Sequence, residues 1–506
     1  MRTRNSLYNL LSDVVPQIII ILISFFRVKI FLNYMGADNL GVYQLYAQIL
    51  SYLSLAELGL TGAAMYFLYK PISEKNYKKI NAILSGVIKT FTYILIIMFV
   101  VGVILSLNIS FFFKDTTFSN TYLMFTFIIA LLTNILGYFT TPYVVMFDSS
   151  QEKYKYVLHT QILLILRHLL QIVLIIVFKN LFVILIIEFL FAIFQNILIR
   201  ILFKKNYPEV KFSKEKDYSF WSKTKDLIPH KIGTLVANNI DVIIISKFLG
   251  LTSVVIYNCY YYFIFNISIL VNRIGSATLA SVGNLLVTDK DKSYNIFLEY
   301  NSMLFFIASI ICVPLALVVS SFVGFWYGKD MIVNNFTTIL FVLILFYSII
   351  RIVLTTFVGA MALYKETIVC TFIEIIINLT ISLLLVNKVG ISGLLIGTIL
   401  SMVISEYLIK PFVLNKKIFN SNIFIYYLDC LKFFVFSVVC YFIFYFILKY
   451  VTISNLLIWF IVGSVVFILN FIITLVYYRI INRTSFLNRI SFLKKIKFMN
   501  KFMYNE

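Results

Sequence analysis

Residues 16–43 read Pro16-Gln-Ile-Ile-Ile-Ile-Leu-Ile-Ser24-Phe-Phe-Arg27-Val-Lys29-Ile-Phe-Leu-Asn-Tyr-Met-Gly36-Ala-Asp-Asn-Leu-Gly41-Val-Tyr43. The run before Gly36 is long and apolar enough to cross a bilayer, which takes about 20 such residues. It is interrupted by an arginine, and a charge at the bilayer centre costs roughly 2.5–3.5 kcal/mol on insertion scales. A span that keeps Arg27 therefore faces protein or a water-filled cavity along that side. The basic flank Met-Arg-Thr-Arg ahead of it resembles a signal peptide, but the run is too long, contains Arg27 and Lys29, and has no small-residue cleavage site. A retained first helix is expected.

The rest of the chain repeats this character. Of 506 residues, 61% are hydrophobic and 13% charged, against about 45–50% and about 25% in soluble domains. The mean hydropathy is +0.95. A soluble enzyme, a nucleic-acid-binding domain and a disordered chain are excluded as descriptions of the whole, and the runs are too continuous for a β-barrel. The apolar runs mark 14 candidate spans: 8–33, 40–69, 83–109, 121–147, 156–178, 181–203, 226–250, 251–276, 299–323, 335–360, 366–386, 391–414, 428–449 and 454–478. The expected fold is an all-α polytopic membrane protein. The net charge of +21 has its cause in basic cytoplasmic loops. Alternate loops carry single cations, at Lys114, Lys179, Lys247, Lys329, Lys388 and Lys449, whereas the others are rich in Lys and Arg. That bias places both termini in the cytoplasm. The basic, amphipathic tail after 478 is expected to lie on anionic lipid.

Soluble-type catalytic motifs are missing from the sequence. It holds no phosphate loop, no H-E-x-x-H, no nucleophile elbow and no C-x-x-C, and its five cysteines sit in apolar stretches as small core residues. No enzyme activity, metal or cofactor is expected.

An internal repeat is visible. Gly36 and Tyr43 recur 214 residues on as Gly250 and Tyr257, and Asp13-Val-Val-Pro16 recurs as Asp226-Leu-Ile-Pro229. Two parallel repeats follow from this, each beginning inside. The expected organisation is an N-lobe of six helices over 1–205, a basic cytoplasmic loop over 206–225, a C-lobe of six helices over 226–415, two extra helices over 428–478 and a basic tail over 479–506. Polar residues mark one face of the first helix in each half: Asp13, Gln17, Ser24 and Arg27, then Lys231, Thr234, Asn238 and Asp241. A hydrated cavity walled by these helices is expected, with Arg27 and Asp241 facing each other.

Several stretches together resemble Wzx-type oligosaccharide flippases of the multidrug/oligosaccharidyl-lipid/polysaccharide superfamily. They are Gly36-Ala-Asp-Asn-Leu-Gly41-Val-Tyr43 and Ala-Glu57-Leu-Gly59-Leu-Thr-Gly62; Asn238-Asn-Ile-Asp241 through Gly250 to Tyr257; and Asn378-Leu-Thr with Val-Gly390-Ile-Ser-Gly393-Leu-Leu-Ile-Gly397. The resemblance spans the chain. It implies two pseudo-symmetric six-helix lobes around a cationic cavity, and movement of a polyprenyl-pyrophosphate-linked sugar unit between leaflets of the bacterial cytoplasmic membrane. Related lipid II flippases carry an arginine nine residues before the glycine ending helix 1, where Arg27 stands. Their basic residue just after the tyrosine of helix 8 is Tyr260 here, which argues against lipid II itself.

A pyrophosphate needs cations to cross hydrocarbon, arginine binding phosphate bidentately and lysine as a point charge. The expected cavity cations are Arg27, Lys231, Arg273 and Arg351, with Gln17, Ser24, Asn238 and Asp241 as polar lining. Glu57, Asp241 and Glu374, with Glu188 and Glu406, are the candidate intramembrane carboxylates for H+ or Na+ coupling. Arg167 with Gln171, and Glu374 with Asn378, stand at i,i+4 in corresponding helices and are expected to serve as internal glue between helices. The expected partners are a polyprenyl-pyrophosphate-linked glycan, membrane lipids, and the polymerase and glycosyltransferases of the same process, with no nucleic acid. A multidrug exporter of the same superfamily is the alternative, and a membrane polymerase or ligase the third possibility, disfavoured by short outward loops.

Overall fold

The computed structural model describes residues 2–57, 59–222, 240–288, 290–361, 363–481 and 483. Among them there is no strand. Twelve helices are long and apolar enough to cross a membrane, so the protein is an all-α, multi-pass membrane protein. It divides into two compact units, Met1–Val255 and Ile256–Glu506.

The first unit contains α1 (Arg2–Leu53), α2 (Leu60–Ser73), α3 (Tyr77–Leu107), α4 (Asn120–Tyr138), α5 (Thr141–Ser149), α6 (Tyr154–Phe178), α7 (Leu181–Asn206) and α8 (240–249). α1 is two segments. Gly36 has φ 79° and ψ 172°, a region open essentially to glycine. The Arg27 guanidinium bonds the Tyr43 hydroxyl at 3.2 Å. At 1.5 Å per residue, a straight helix would hold those positions about 24 Å apart, so the chain reverses at Gly36. The first of the 12 candidate spans, Pro16–Leu53, accordingly makes two passes. Gly250 likewise takes a positive φ, 93°, between α8 and the next helix, so the internal repeat extends to the sign of φ at its glycine. The expected span 226–250 falls largely on 223–239, outside the described residues.

One expectation is corrected. The span 40–69 is not a continuous helix. α1 ends at Leu53, a 3₁₀ turn covers Ser54–Glu57, and Gly59 takes φ 82° before α2. Glycine supplies the left-handed conformation that lets a new helix start there.

The basic stretch after α7 is a strap tied to α3. Lys211 N donates to Asn81 Oδ1 (3.0 Å), Ser213 N to Ser85 Oγ (2.7 Å) and Asp217 N to Ala82 O (3.0 Å). Phe220 is buried. A Cβ on Gly86 would come 2.2 Å from the Asp217 carbonyl oxygen, so only glycine admits the strap. Burial raises the Asp217 carboxyl, but the Ser219 amide and hydroxyl and the Lys79 ammonium at 3.5 Å outweigh it and hold the group below its ordinary 3.8.

The second unit contains α9 (Leu251–Thr288, whose first turn belongs to the first unit), α10 (Lys290–Tyr327), α11 (Asn335–Ala360), α12 (Tyr364–Val389) and α13 (Ile391–Met402). A π-helical stretch Val403–Ile409, α14 (Lys410–Leu414) and a second π-helical stretch Asn415–Phe419 continue α13. α15 (Ile423–Leu448) and α16 (Leu456–Ile480) close the unit. Asn76, Asn180, Asn334, Asn422 and Asn455 cap α3, α7, α11, α15 and α16, each accepting an orphan N–H. α15 and α16 pack on α10. Val313, Cys440, Phe444 and Val466 form one apolar cluster. The Trp459 indole donates to Val318 O at 2.8 Å, and the Asn470 amide to Ser309 O at 3.0 Å.

Gly36→Ala should cost about 1–3 kcal/mol, because it meets no neighbour within 4 Å and pays only for its backbone conformation. Gly86→Val should displace the strap instead. Thermal unfolding in detergent reads the first. The second appears as new proteolytic cleavage around residues 207–222, with the midpoint nearly unchanged. Because the Asp217 carboxyl lies below 3.8 when folded, native protein should hold the strap above that pH and loosen it as the pH falls further.

A closed polar ring and a buried charge network

α1, α6 and α7 bring four polar side chains together inside the first unit. Arg27 Nη1 donates to the Tyr43 hydroxyl (3.2 Å) and to Gln171 Oε1 (3.1 Å). Tyr43 in turn donates to Glu188 Oε1 at 2.6 Å, and Gln171 Nε2 donates to the same oxygen at 2.9 Å. The four bonds close a ring. Both branches run from the guanidinium to the carboxylate through one neutral side chain, so the two charges are bridged on both sides. His168 Nδ1 lies 3.2 Å from Gln171 Oε1. That oxygen can only accept, so Nδ1 carries the proton. Gln171 and His168 are buried and Glu188 is 9% exposed. The Arg27 Cζ also stands 5.4 Å from the centre of the Tyr43 ring, within cation–π range.

The second unit holds a different solution. Arg351 on α11 places Nη1 3.4 Å from Glu374 on α12 and Nε 3.9 Å from Glu406 in the π-helical stretch. Lys410, one turn on, bonds Glu406. Two cations and two carboxylates balance, and Glu374, Glu406 and Lys410 are buried. The wide π turn aims Glu406 inward, and such turns concentrate at functional sites.

The other expected residues fall as follows. Ser24 is half-buried, and Gln17 and Arg273 are exposed. Asp241 is buried on α8, in the field of Tyr52. Glu57 ends the 3₁₀ turn and accepts from the Thr61 hydroxyl. Lys231 and Asn238 lie outside the described residues. Gln171 ties α6 to α1 and α7 through Arg27 and Glu188, and its oxygen also lies beside His168. Asn378 turns to Ser382 and Thr398 rather than to Glu374.

Tyr43, Gln171 and Glu188 are each visible in sequence, but their meeting in one ring is not, Glu188 being 145 residues from Tyr43 and 17 from Gln171. One signal was present. Arg27 stands nine residues before Gly36 and Tyr43 seven after it, so a reversal at Gly36 brings them level.

With this geometry in hand, the chain can be placed. Residues 3–280 match the family model described as polysaccharide biosynthesis protein, and the chain belongs to that family. Comparison with curated proteins finds no match. Among solved structures, it is similar to the lipid II flippase MurJ in an inward closed conformation, at 16% identity and a TM-score of 0.71, over 92% of this chain and 98% of that one. It is also similar to an inward-facing multidrug resistance MATE family transporter of the MOP superfamily, at 12% identity and a TM-score of 0.62, over 80% and 97%. A Vibrio cholerae MATE transporter, VcmN, matches at 14% identity with a TM-score of 0.51, over 84% and 97%. The fold is that of MOP-superfamily flippases and transporters.

Gln171→Leu should destabilise by about 1–3 kcal/mol, since it removes the bonds to Arg27 and Glu188 and leaves the buried His168 Nδ1–H without its acceptor. Tyr43→Phe should cost less, because Gln171 still bonds Glu188. A double-mutant cycle on unfolding midpoints should return a non-additive coupling of at least about 0.5 kcal/mol. Strict additivity would contradict the ring.

Proposed function

We propose that the protein is a flippase. It moves a polyprenyl-pyrophosphate-linked oligosaccharide unit from the cytoplasmic to the outer leaflet, for the synthesis of a cell-surface polysaccharide. The observation that carries this is the family match over residues 3–280, on a fold that follows a lipid II flippase along 92% of the chain. The buried polar groups support it. Arg27 sits within a span as a half-buried guanidinium, the side chain suited to bind a pyrophosphate bidentately. Tyr43 and Gln171, which accept from it, are neutral, so an anion can displace these two bonds without breaking a direct bond between Arg27 and Glu188.

In this reading two six-helix lobes alternate access to a cavity lined by Arg27, Lys231, Arg273 and Arg351. The protein works in the bacterial cytoplasmic membrane with both termini inside, and hands its product to a polymerase. It catalyses no covalent step. A gradient of H+ or Na+ drives it through Glu57, Asp241 or Glu374. The MATE matches favour one second reading, export of small molecules. They leave about a fifth of this chain uncovered, more than the lipid II flippase does, and that weighs toward the flippase.

Lipid-linked glycans from a deletion strain, tested with an impermeant glycosidase, decide between the two. Complete units should accumulate on the protected inner face. Arg27→Ala should reproduce that defect at normal protein abundance, with export falling at least tenfold. Unaltered lipid-linked glycans in the deletion strain would favour the exporter, and normal export by Arg27→Ala would remove Arg27 from the site.

A further inference from the structure

The ring of the first unit has a charge balance that the flippase reading does not use. Arg27 and Glu188 offset each other through Tyr43 and Gln171. A second guanidinium, Arg167, lies on α6 one residue from His168, and both arginines act electrostatically on His168 and Tyr43. Arg167 is half-buried within a span, and its buried Nε has no hydrogen-bond partner among the described residues. With Glu188 ionised the cluster carries one net positive charge. With Glu188 protonated it carries two, matching the two charges of a phosphodiester-type diphosphate.

We infer that Glu188 is a proton-binding site linked to anion binding at Arg27 and Arg167, so that one proton enters with each lipid-linked diphosphate bound. This rests on the flippase reading for its ligand. When ionised, Glu188 accepts from both Tyr43 and Gln171 and so orients their oxygens toward Arg27. A proton on Glu188 removes the charge that orders both bridges. Tyr43 is then free to rotate, Arg27 loses its two acceptors, and the diphosphate oxygens replace them. By linkage the diphosphate then raises the proton affinity of Glu188, and the proton raises the affinity for diphosphate by the same factor.

The groups that face Glu188 are few. α1 supplies Arg27 and Tyr43, and α6 supplies Arg167 and His168. α4 carries no charged residue; its Tyr122 turns to the Phe182 backbone, and Tyr138 turns to Ser54 and Glu57. On α5 the one acid, Asp148, bonds Tyr156. His168 is therefore the one imidazole beside Glu188, and the test must separate the two.

The experiment measures binding of a polyprenyl diphospho-N-acetylglucosamine to purified full-length protein in nanodiscs, from about pH 8 to about pH 5.5. The probe is a diester and lacks the ionisation near about pH 6 of a phosphate monoester. Native protein should bind it on the order of a hundredfold more tightly at the acid end, the change that uptake of close to one proton requires over that range and that removing one nearby charge supplies. Glu188→Gln should bind tightly and independently of pH. His168→Gln should keep the native slope. In weakly buffered solution, native protein should take up close to one proton per probe bound, a readout that needs no variant to fold. An unchanged slope in Glu188→Gln, a slope lost only in His168→Gln, or no proton uptake on binding would each overturn the inference while leaving the flippase reading intact. No binding of the probe at any pH would overturn the flippase reading itself.

Discussion

An ionised side chain inside hydrocarbon must have a partner or water, and this requirement organises both units. In the first, Arg27 and Glu188 are kept one neutral side chain apart, by Tyr43 on one branch and Gln171 on the other. In the second, Arg351 and Lys410 pair directly with Glu374 and Glu406. The two solutions differ in what they permit. Buried direct ion pairs resist exchange, because breaking one strands a charge. A bridged pair can trade its neutral bridges for an anionic ligand at lower cost.

The backbone serves the same end. The reversal at Gly36 sets Arg27 beside Tyr43, and without it these residues would be a helix length apart. The 3₁₀ turn and Gly59 interrupt the helix beside Glu57, whereas α9 of the second unit runs unbroken over Leu251–Thr288. One unit thus has a broken helix with an acid at the break, and the other has the π-helical stretch around Glu406. In both, irregular backbone accompanies a carboxylate, half-buried at Glu57 and buried at Glu406, as expected where such backbone is shielded by protein.

Much of the fold was legible in the sequence because apolar length and charge bias are local properties. Most of the spans follow from apolar length, and the Gly36–Gly250 repeat reappears as a shared positive φ. The break at Ser54–Gly59 was hidden, since Leu55, Ala56 and Leu58 keep the run apolar while a single glycine ends the helix. The site was half legible. Arg27 announces itself as a charge in a span. Glu188 and Gln171 become its partners only through the packing of α1 on α6 and of α6 on α7, which periodicity does not encode. The i+4 spacing of Arg167 and Gln171 suggested glue between helices, and Gln171 does join α6 to α1 and α7, but the spacing does not say to which residues.

The most direct test of this account is an experimental structure of the protein with a polyprenyl diphosphosugar bound. The account predicts diphosphate oxygens within hydrogen-bond reach of the Arg27 guanidinium, about 2.7–2.9 Å, with the Arg27–Tyr43 and Arg27–Gln171 bonds broken. A diphosphate bound elsewhere, with the four-membered ring still closed, would contradict it.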